Sequence, residues 1–102
     1  MQIHENDLVG LIVKSTEKVT LESGGESFHV DDRTELFGGT SPLDSLMLVS
    51  LVFDLENAIE TAYGVRVALA TERTFAEAVN PFTNVATLAK FASTLLAEAS
   101  AH

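Results

Sequence analysis

Apolar residues recur at steps of three and four along most of this chain, which is the spacing of one face of an α-helix. The pattern predicts long helices over about residues 5–22, 45–63 and 85–98, and a short helix over 72–79 that Thr71 can cap. The expected core positions of the long helices are Leu8, Leu11, Ile12, Ser15, Val19, Leu48, Leu51, Val52, Leu55, Ile59, Ala62, Val85, Leu88, Phe91, Ala92 and Leu95. The chain is therefore predicted to be all-α.

Caps and helix breakers mark where the predicted helices begin and end. Asn6 or Asp7 can cap the first helix and Asn84 the last, because these side chains accept hydrogen bonds from the first turn. Gly64 is placed to end the second helix, since glycine readily adopts a positive φ angle. The first segment has an alternative, because Gly10 costs about 1 kcal/mol in a helix interior. The residues that also suit a β-strand there are Val13, Thr16, Val19 and Thr20.

A long loop joins the first two predicted helices. Residues 28–43 contain the turn glycines Gly38-Gly39 and the acidic pair Asp31-Asp32, which disfavour a helix. The apolar residues expected to hold this loop against the helices are Phe28, Val30, Leu36 and Phe37. Because a chain of 102 residues suffices for one core, we expect a single domain over 1–102. Its predicted architecture is a four-helix bundle with a long loop between helices one and two.

Asp44 and Ser45 lie where this loop meets the second predicted helix. The first four N–H groups of a helix lack intrahelical partners, and the helix dipole adds positive charge at that end. A phosphate esterified to the Ser45 oxygen would be stabilised there. The simpler interpretation is that Asp44 only caps the helix, a position that aspartate favours.

The segment 36–67 resembles the acyl carrier proteins. The matching motifs are Leu36-Phe37-Gly38, Asp44-Ser45-Leu46, Leu51-Val52, Leu55-Glu56 and Gly64-Val65-Arg66-Val67. In that family the serine of the Asp-Ser-Leu motif carries a 4′-phosphopantetheine arm from coenzyme A, whose thiol holds acyl groups as thioesters. The resemblance implies that Ser45 is the attachment residue and that Asp44 helps a phosphopantetheinyl transferase to organise magnesium-bound phosphates. It also implies a carrier protein and not an enzyme.

The resemblance further implies that the second helix docks acyl-loading and acyl-using enzymes. The apolar residues expected to contact these partners are Leu46, Met47, Val49 and Phe53. The alternative is that an apolar stripe this wide belongs to a deeply buried helix. Between Arg33 and Arg66 the chain has acidic residues and no lysine or arginine, which favours partners with basic patches and salt-dependent association. Asp54 and Glu56 are expected to guide such partners. Reversing the charge of Glu56 is expected to slow association and to leave the fold intact.

Three features separate this chain from the carriers of primary fatty-acid synthesis. Residues 57–60 lengthen the second helix, and Met47 and Ser50 stand where acidic residues are frequent. Residues 73–84 are longer than the usual short third helix and its connection. These differences suggest a specialised carrier in a dedicated biosynthetic pathway, for example of lipids or polyketides. A peptidyl or aminoacyl carrier is an alternative, although the Gly-Gly pair lies at a different spacing from the serine than in that family.

Composition limits the classes of partner and compartment. The formal net charge of −9 argues against nucleic acid and against anionic membrane surfaces, both of which attract basic proteins. The chain has no cysteine, so a thioester would need the sulfur of a prosthetic group. The N-terminal residues lack the basic start of a signal peptide. We therefore expect an acidic, monomeric protein of the cytoplasm.

Other chemistries have weaker support in the sequence. A serine hydrolase would need a histidine to activate Ser45, and His4 and His29 lie in no catalytic signature. The acidic residues around Asp31-Asp32 lack the ligand spacing of an EF-hand, so no metal site is expected. The rival hypothesis is an unmodified helical module that binds one protein partner permanently.

Overall fold

The computed structural model describes residues 4–22, 30–36, 45–70 and 80–100. Within these ranges the chain forms three α-helices and one 3₁₀ turn, which are α1 Glu5–Glu22, α2 Ser45–Tyr63, the 3₁₀ turn Pro81–Thr83 and α3 Val85–Ser100. The same residues contain no β-strand, although an isolated antiparallel bridge pairs Glu35 with Asn84. The all-α prediction is confirmed.

The three long helices occupy the segments predicted for them. α1 and α2 have the predicted bounds, and α3 continues to Ser100, beyond the expected end at residue 98. The predicted short helix over 72–79 lies outside the described residues, as do Gly38-Gly39 and the apolar residues Phe28 and Phe37. The described residues thus hold three α-helices and do not show the fourth helix of the predicted bundle.

α1 packs against both α2 and α3. Its fully buried Leu8 and Ile12 join a core whose other fully buried residues are Leu51, Leu55, Ile59, Leu69, Val85, Leu88, Ala89, Ala92 and Leu96. Each buried leucine or isoleucine stabilises the fold by about 1.5–3 kcal/mol. The prediction for Ala62 is wrong, because this residue is exposed. Tyr63, four residues after Ile59, packs against the core in its place.

The start of α1 differs from the predicted cap. The helix begins at Glu5, and the His4 carbonyl accepts hydrogen bonds from the N–H groups of Asp7 and Leu8 at 3.0 and 3.3 Å. Asn6 and Asp7 are therefore helical residues and the prediction that one of them caps α1 is wrong. The strand alternative is also wrong. Two buried hydroxyls of α1 bond within the helix, since Thr16 Oγ1 donates to the Ile12 carbonyl at 2.7 Å and Thr20 Oγ1 to the Thr16 carbonyl at 2.8 Å.

Hydrogen bonds end α2 and begin α3 as the sequence predicts. Gly64 adopts φ +70°, and its N–H donates to the Glu60 carbonyl at 2.8 Å, which confirms its role at the end of α2. At the start of α3, Asn84 Oδ1 accepts from the Thr87 N–H at 2.8 Å. Thr87 Oγ1 in turn accepts from the Asn84 N–H at 3.0 Å. Both predicted ends are confirmed.

The segment 30–36 is held against the start of α3. The carbonyls of Asp32 and Thr34 accept from the N–H groups of Ala86 and Val85 at 2.9 and 3.1 Å. These bonds satisfy donors that a helix leaves free in its first turn. Val30 and Leu36 are buried, as expected for anchors of this loop. The loop therefore supports α3 directly, an interaction that no local pattern predicted.

Candidate functional site

The candidate site centres on the first residue of α2. The helix begins at Ser45 and contains no acidic residue in its first turn, so its own side chains leave the positive end of the dipole uncompensated. Asp44 and the side chain of Ser45 lie outside the described residues. The predicted helix start at Ser45 is confirmed, and the roles of Asp44 and Ser45 stay predictions.

Three large apolar side chains point to solvent over the first turns of α2. Leu46, Val49 and Phe53 are 76%, 52% and 64% exposed, and their spacing of three and four places them on one helix face. We call these three residues the apolar strip. Met47, which was expected to lie on the same contact surface, is half-buried and packs against the core. The strip therefore begins directly after Ser45 and does not contribute to the core.

Lys18 of α1 places a positive charge in the acidic region that the sequence indicates around α2. Its Nζ lies 2.8 Å from Asp54 Oδ1, with the two side chains 59% and 23% exposed. Hydrogen bonding and charge attraction from Asp54 raise the pKa of Lys18 above its usual value. Asp54 is thus paired within the protein. The positive charge beside it belongs to Lys18, which the sequence pattern did not indicate as a site residue.

Glu56 and Glu60 also have partners after the end of α2. Glu56 Oε2 accepts a hydrogen bond from the Leu69 N–H at 2.8 Å, which ties the extended segment after α2 to the helix. Glu60 Oε2 lies 3.2 Å from Arg66 Nη1 on the surface. Glu56 therefore helps to hold this part of the fold together, and both glutamates contribute negative potential.

An open groove of about 450 Å³ lies between α1 and α2. The α1 side of the groove consists of Lys18, Val19 and Glu22. The α2 side consists of Ser50, Phe53, Asp54 and Asn57. We call this the α1/α2 groove. Phe53 belongs to both the groove and the apolar strip, so the two surfaces are continuous.

The structure describes some of the residues that were considered for hydrolase or metal chemistry. His4 is exposed at the start of α1, and His29 lies outside the described residues. Asp31 Oδ1 accepts from the Arg33 N–H at 2.9 Å, which closes a local turn. In the described ranges no three potential metal ligands come together. None of the helices described combines the length and apolar character needed to cross a bilayer.

A scan of protein-family models and searches of curated proteins and of solved structures find no match to this chain.

Proposed function

We propose that this chain is an acyl carrier protein with a 4′-phosphopantetheine arm on Ser45. The observation that carries the proposal is the construction of α2. This helix begins at Ser45 and then turns Leu46, Val49 and Phe53 to solvent. A modifiable hydroxyl at a helix N-terminus, followed at once by an exposed apolar face, suits a protein that presents cargo to docking enzymes.

The start of α2 fits the phosphate of the arm. Unpaired N–H groups and the helix dipole favour an anion there, and no acidic side chain of the first turn opposes it. During loading, the Ser45 oxygen attacks the coenzyme A phosphorus that bears pantetheine. The serine proton passes to a base of the transferase, and adenosine bisphosphate leaves as the P–O bond breaks. The bound arm supplies a thiol that holds acyl groups as thioesters.

Docking of partner enzymes combines the apolar strip with the surrounding negative charge. Apolar side chains supply contact area, while the net charge of −9 attracts basic surfaces and speeds encounter. Asp54 and Glu56 contribute to that potential although each already has a partner in the fold. A small surface of this kind gives weak and rapidly reversible binding, which a shuttle between enzymes requires.

The proposal includes a fourth helix over 72–79 that completes a four-helix bundle. The described helices leave room for it in the chain order, between the extended segment after α2 and the 3₁₀ turn Pro81–Thr83. The proposed pathway is a dedicated one, and the proposed compartment is the cytoplasm.

The decisive experiment is intact-mass spectrometry after incubation with coenzyme A, magnesium and a broad-specificity phosphopantetheinyl transferase. We expect the mass to increase by one phosphopantetheine, and peptide mapping to place it on Ser45. Ser45→Ala should remain folded by circular dichroism and gain nothing. Ser50→Ala, which removes another hydroxyl of α2, is the matched control and should load normally. Loading of Ser45→Ala would disprove the site.

A second candidate function is an unmodified interaction module. The exposure of Leu46, Val49 and Phe53 favours it, because an apolar face of this kind also suits a permanent protein partner. This hypothesis expects no loading by several transferases, no modified form in cells and a stable stoichiometric complex. Loading at Ser45 with weak, transient docking would argue against it.

A further inference from the structure

The α1/α2 groove has a net negative charge within its described lining. Lys18 and Asp54 form an ion pair at 2.8 Å and neutralise each other. Glu22 is exposed and its charge also acts on Lys18, so the described lining holds two carboxylates and one ammonium, a net charge of one negative unit. The groove is therefore suited to a ligand with one positive charge.

Two neutral side chains add to this preference. The ring of Phe53 is 64% exposed at the edge of the groove, and an aromatic face attracts ammonium and guanidinium groups. The exposed side chain of Asn57 offers an amide oxygen, which can accept a hydrogen bond from such a group. The exposed Phe53 side chain also provides an apolar contact for a short hydrocarbon chain next to the charge.

We propose that the α1/α2 groove binds a positively charged group, an ammonium or a guanidinium, on acyl cargo attached at Ser45. This inference rests on the proposed carrier function, and it narrows the cargo to acyl groups that contain a basic nitrogen. Glu22 pairs with the positive group, the Phe53 ring lies against it, and Asn57 accepts one of its hydrogen bonds. A purely hydrocarbon chain would gain none of these polar interactions.

The groove is within reach of Ser45. At the rise of an α-helix, Ser50 lies about 8 Å and Asn57 about 18 Å along α2 from Ser45. The pantetheine arm has the length of about four to five extended residues, or roughly 15 Å, to its sulfur. Tethering gives the cargo an effective concentration in the millimolar range, so a weak site suffices to hold it. Weak binding also allows a partner enzyme to withdraw the cargo.

The test compares two isosteric cargoes on ¹⁵N-labelled protein. One sample has 4-aminobutyryl and the other pentanoyl, each linked to the arm by an amide in place of the labile thioester. We expect the amino cargo to shift the amide resonances of Glu22, Ser50 and Asn57, and the pentanoyl cargo to leave them near their positions with the arm alone. Glu22→Gln should weaken occupancy about two- to five-fold, the range of an exposed ion pair.

Glu17→Gln is the matched control, because Glu17 is also an exposed glutamate of α1 but does not line the groove. It should leave the cargo-dependent shifts unchanged. Equal shifts with both cargoes, no shifts in the groove, or equal effects of the two variants would each overturn the inference. All three outcomes leave loading at Ser45 intact, so they are distinct from failure of the carrier function.

If Ser45 cannot be loaded, the groove is tested on the unmodified protein. n-Butylammonium and butyrate are titrated at equal ionic strength, with the same amide resonances and both glutamine variants. Shifts with butylammonium that depend on Glu22 and not on Glu17 would support a cation site without a carrier function. Their absence would overturn the site.

Discussion

Lys18 Nζ of α1 and Asp54 Oδ1 of α2 lie 2.8 Å apart. This ion pair joins the two helices through residues that are 36 positions apart in the chain. The sequence places Asp54 in an acidic field, since no lysine or arginine lies between Arg33 and Arg66. The structure places a cation from α1 within that field. The proposed steering of basic partners would therefore depend on the net charge of both helices and not on α2 alone.

The pair predicts a loss of stability at alkaline pH. The pKa of Lys18 is raised above 10.5 by the hydrogen bond and charge of Asp54, so the folded state holds this proton more tightly than the unfolded state. The resulting stabilisation is complete below pH 10.5 and is lost as pH rises through the raised pKa. Urea unfolding between about pH 9 and 12 should show this decline. Each of the variants Lys18→Met and Asp54→Asn should make this decline of stability with pH less steep.

Tyr63 titrates in the same range and supplies the control. Burial, and secondarily the charge of Asp7, raise the pKa of Tyr63 above 10.0. The folded state therefore holds the phenol proton more tightly than the unfolded state, and stability falls as pH rises and Tyr63 ionises. Tyr63→Phe should remove that part of the decline and leave the part due to Lys18. A pH profile of Lys18→Met identical to the wild type would contradict the contribution of the ion pair.

Two glycine substitutions should change stability in opposite directions. Gly10 lies in the middle of α1, is exposed, and an added Cβ would meet nothing within 4 Å. Gly10→Ala should therefore stabilise the protein by about 0.5–1 kcal/mol. Gly64 has equal space but adopts φ +70°, so Gly64→Ala should cost about 1–2 kcal/mol. Denaturant unfolding measures both, and changes of the same sign would contradict the conformational explanation.

Charge reversal at Glu56 should affect the fold, contrary to the expectation from sequence. Its carboxylate accepts a hydrogen bond from the Leu69 N–H at 2.8 Å, and Leu69 is fully buried. Glu56→Lys should cost about 1–2 kcal/mol in the free energy of unfolding. Glu56→Gln retains an acceptor oxygen and should cost less. Equal stability of the wild type and Glu56→Lys would show that this contact contributes little.

A cleaner test of partner steering therefore uses Glu60. Its contact with Arg66 is between exposed side chains, and such pairs contribute little to stability. Glu60→Lys should slow association with a basic partner at low salt, with a smaller effect at high salt. Stopped-flow or surface binding kinetics would measure the rate. An unchanged rate at low salt would argue against electrostatic steering by this helix.

Mutations in the exposed apolar strip should affect stability much less than mutations in the buried core. Phe53 is 64% exposed, so Phe53→Ser should change stability by no more than about 0.5 kcal/mol. Leu55 is fully buried, and Leu55→Ala should cost about 2–5 kcal/mol. Thermal unfolding distinguishes the two effects. A partner enzyme should bind Phe53→Ser more weakly than wild type, and unchanged binding would remove Phe53 from the docking surface.

The features that could be predicted from the sequence are those that depend on neighbours in the chain. The bounds of α1 and α2, the Gly64 end and the Asn84 cap follow from interactions between residues one helical turn apart or less. Such interactions leave a periodic pattern that can be read directly. The same reasoning predicted Ser45 as the first residue of α2. The local pattern left open whether Leu46, Val49 and Phe53 are buried or exposed, and only the resemblance favoured the exposure that the structure shows.

Packing between segments that are distant in the chain sets which charges meet and which face of each helix is covered. Lys18 reaches Asp54 only because α1 packs on α2, and segment 30–36 satisfies the first N–H groups of α3 from a distant part of the chain. Packing also turned Met47 toward the core and brought Glu22 beside the α1/α2 groove. These contacts have no fixed spacing in the sequence, because the relative position of packed helices depends on the whole core.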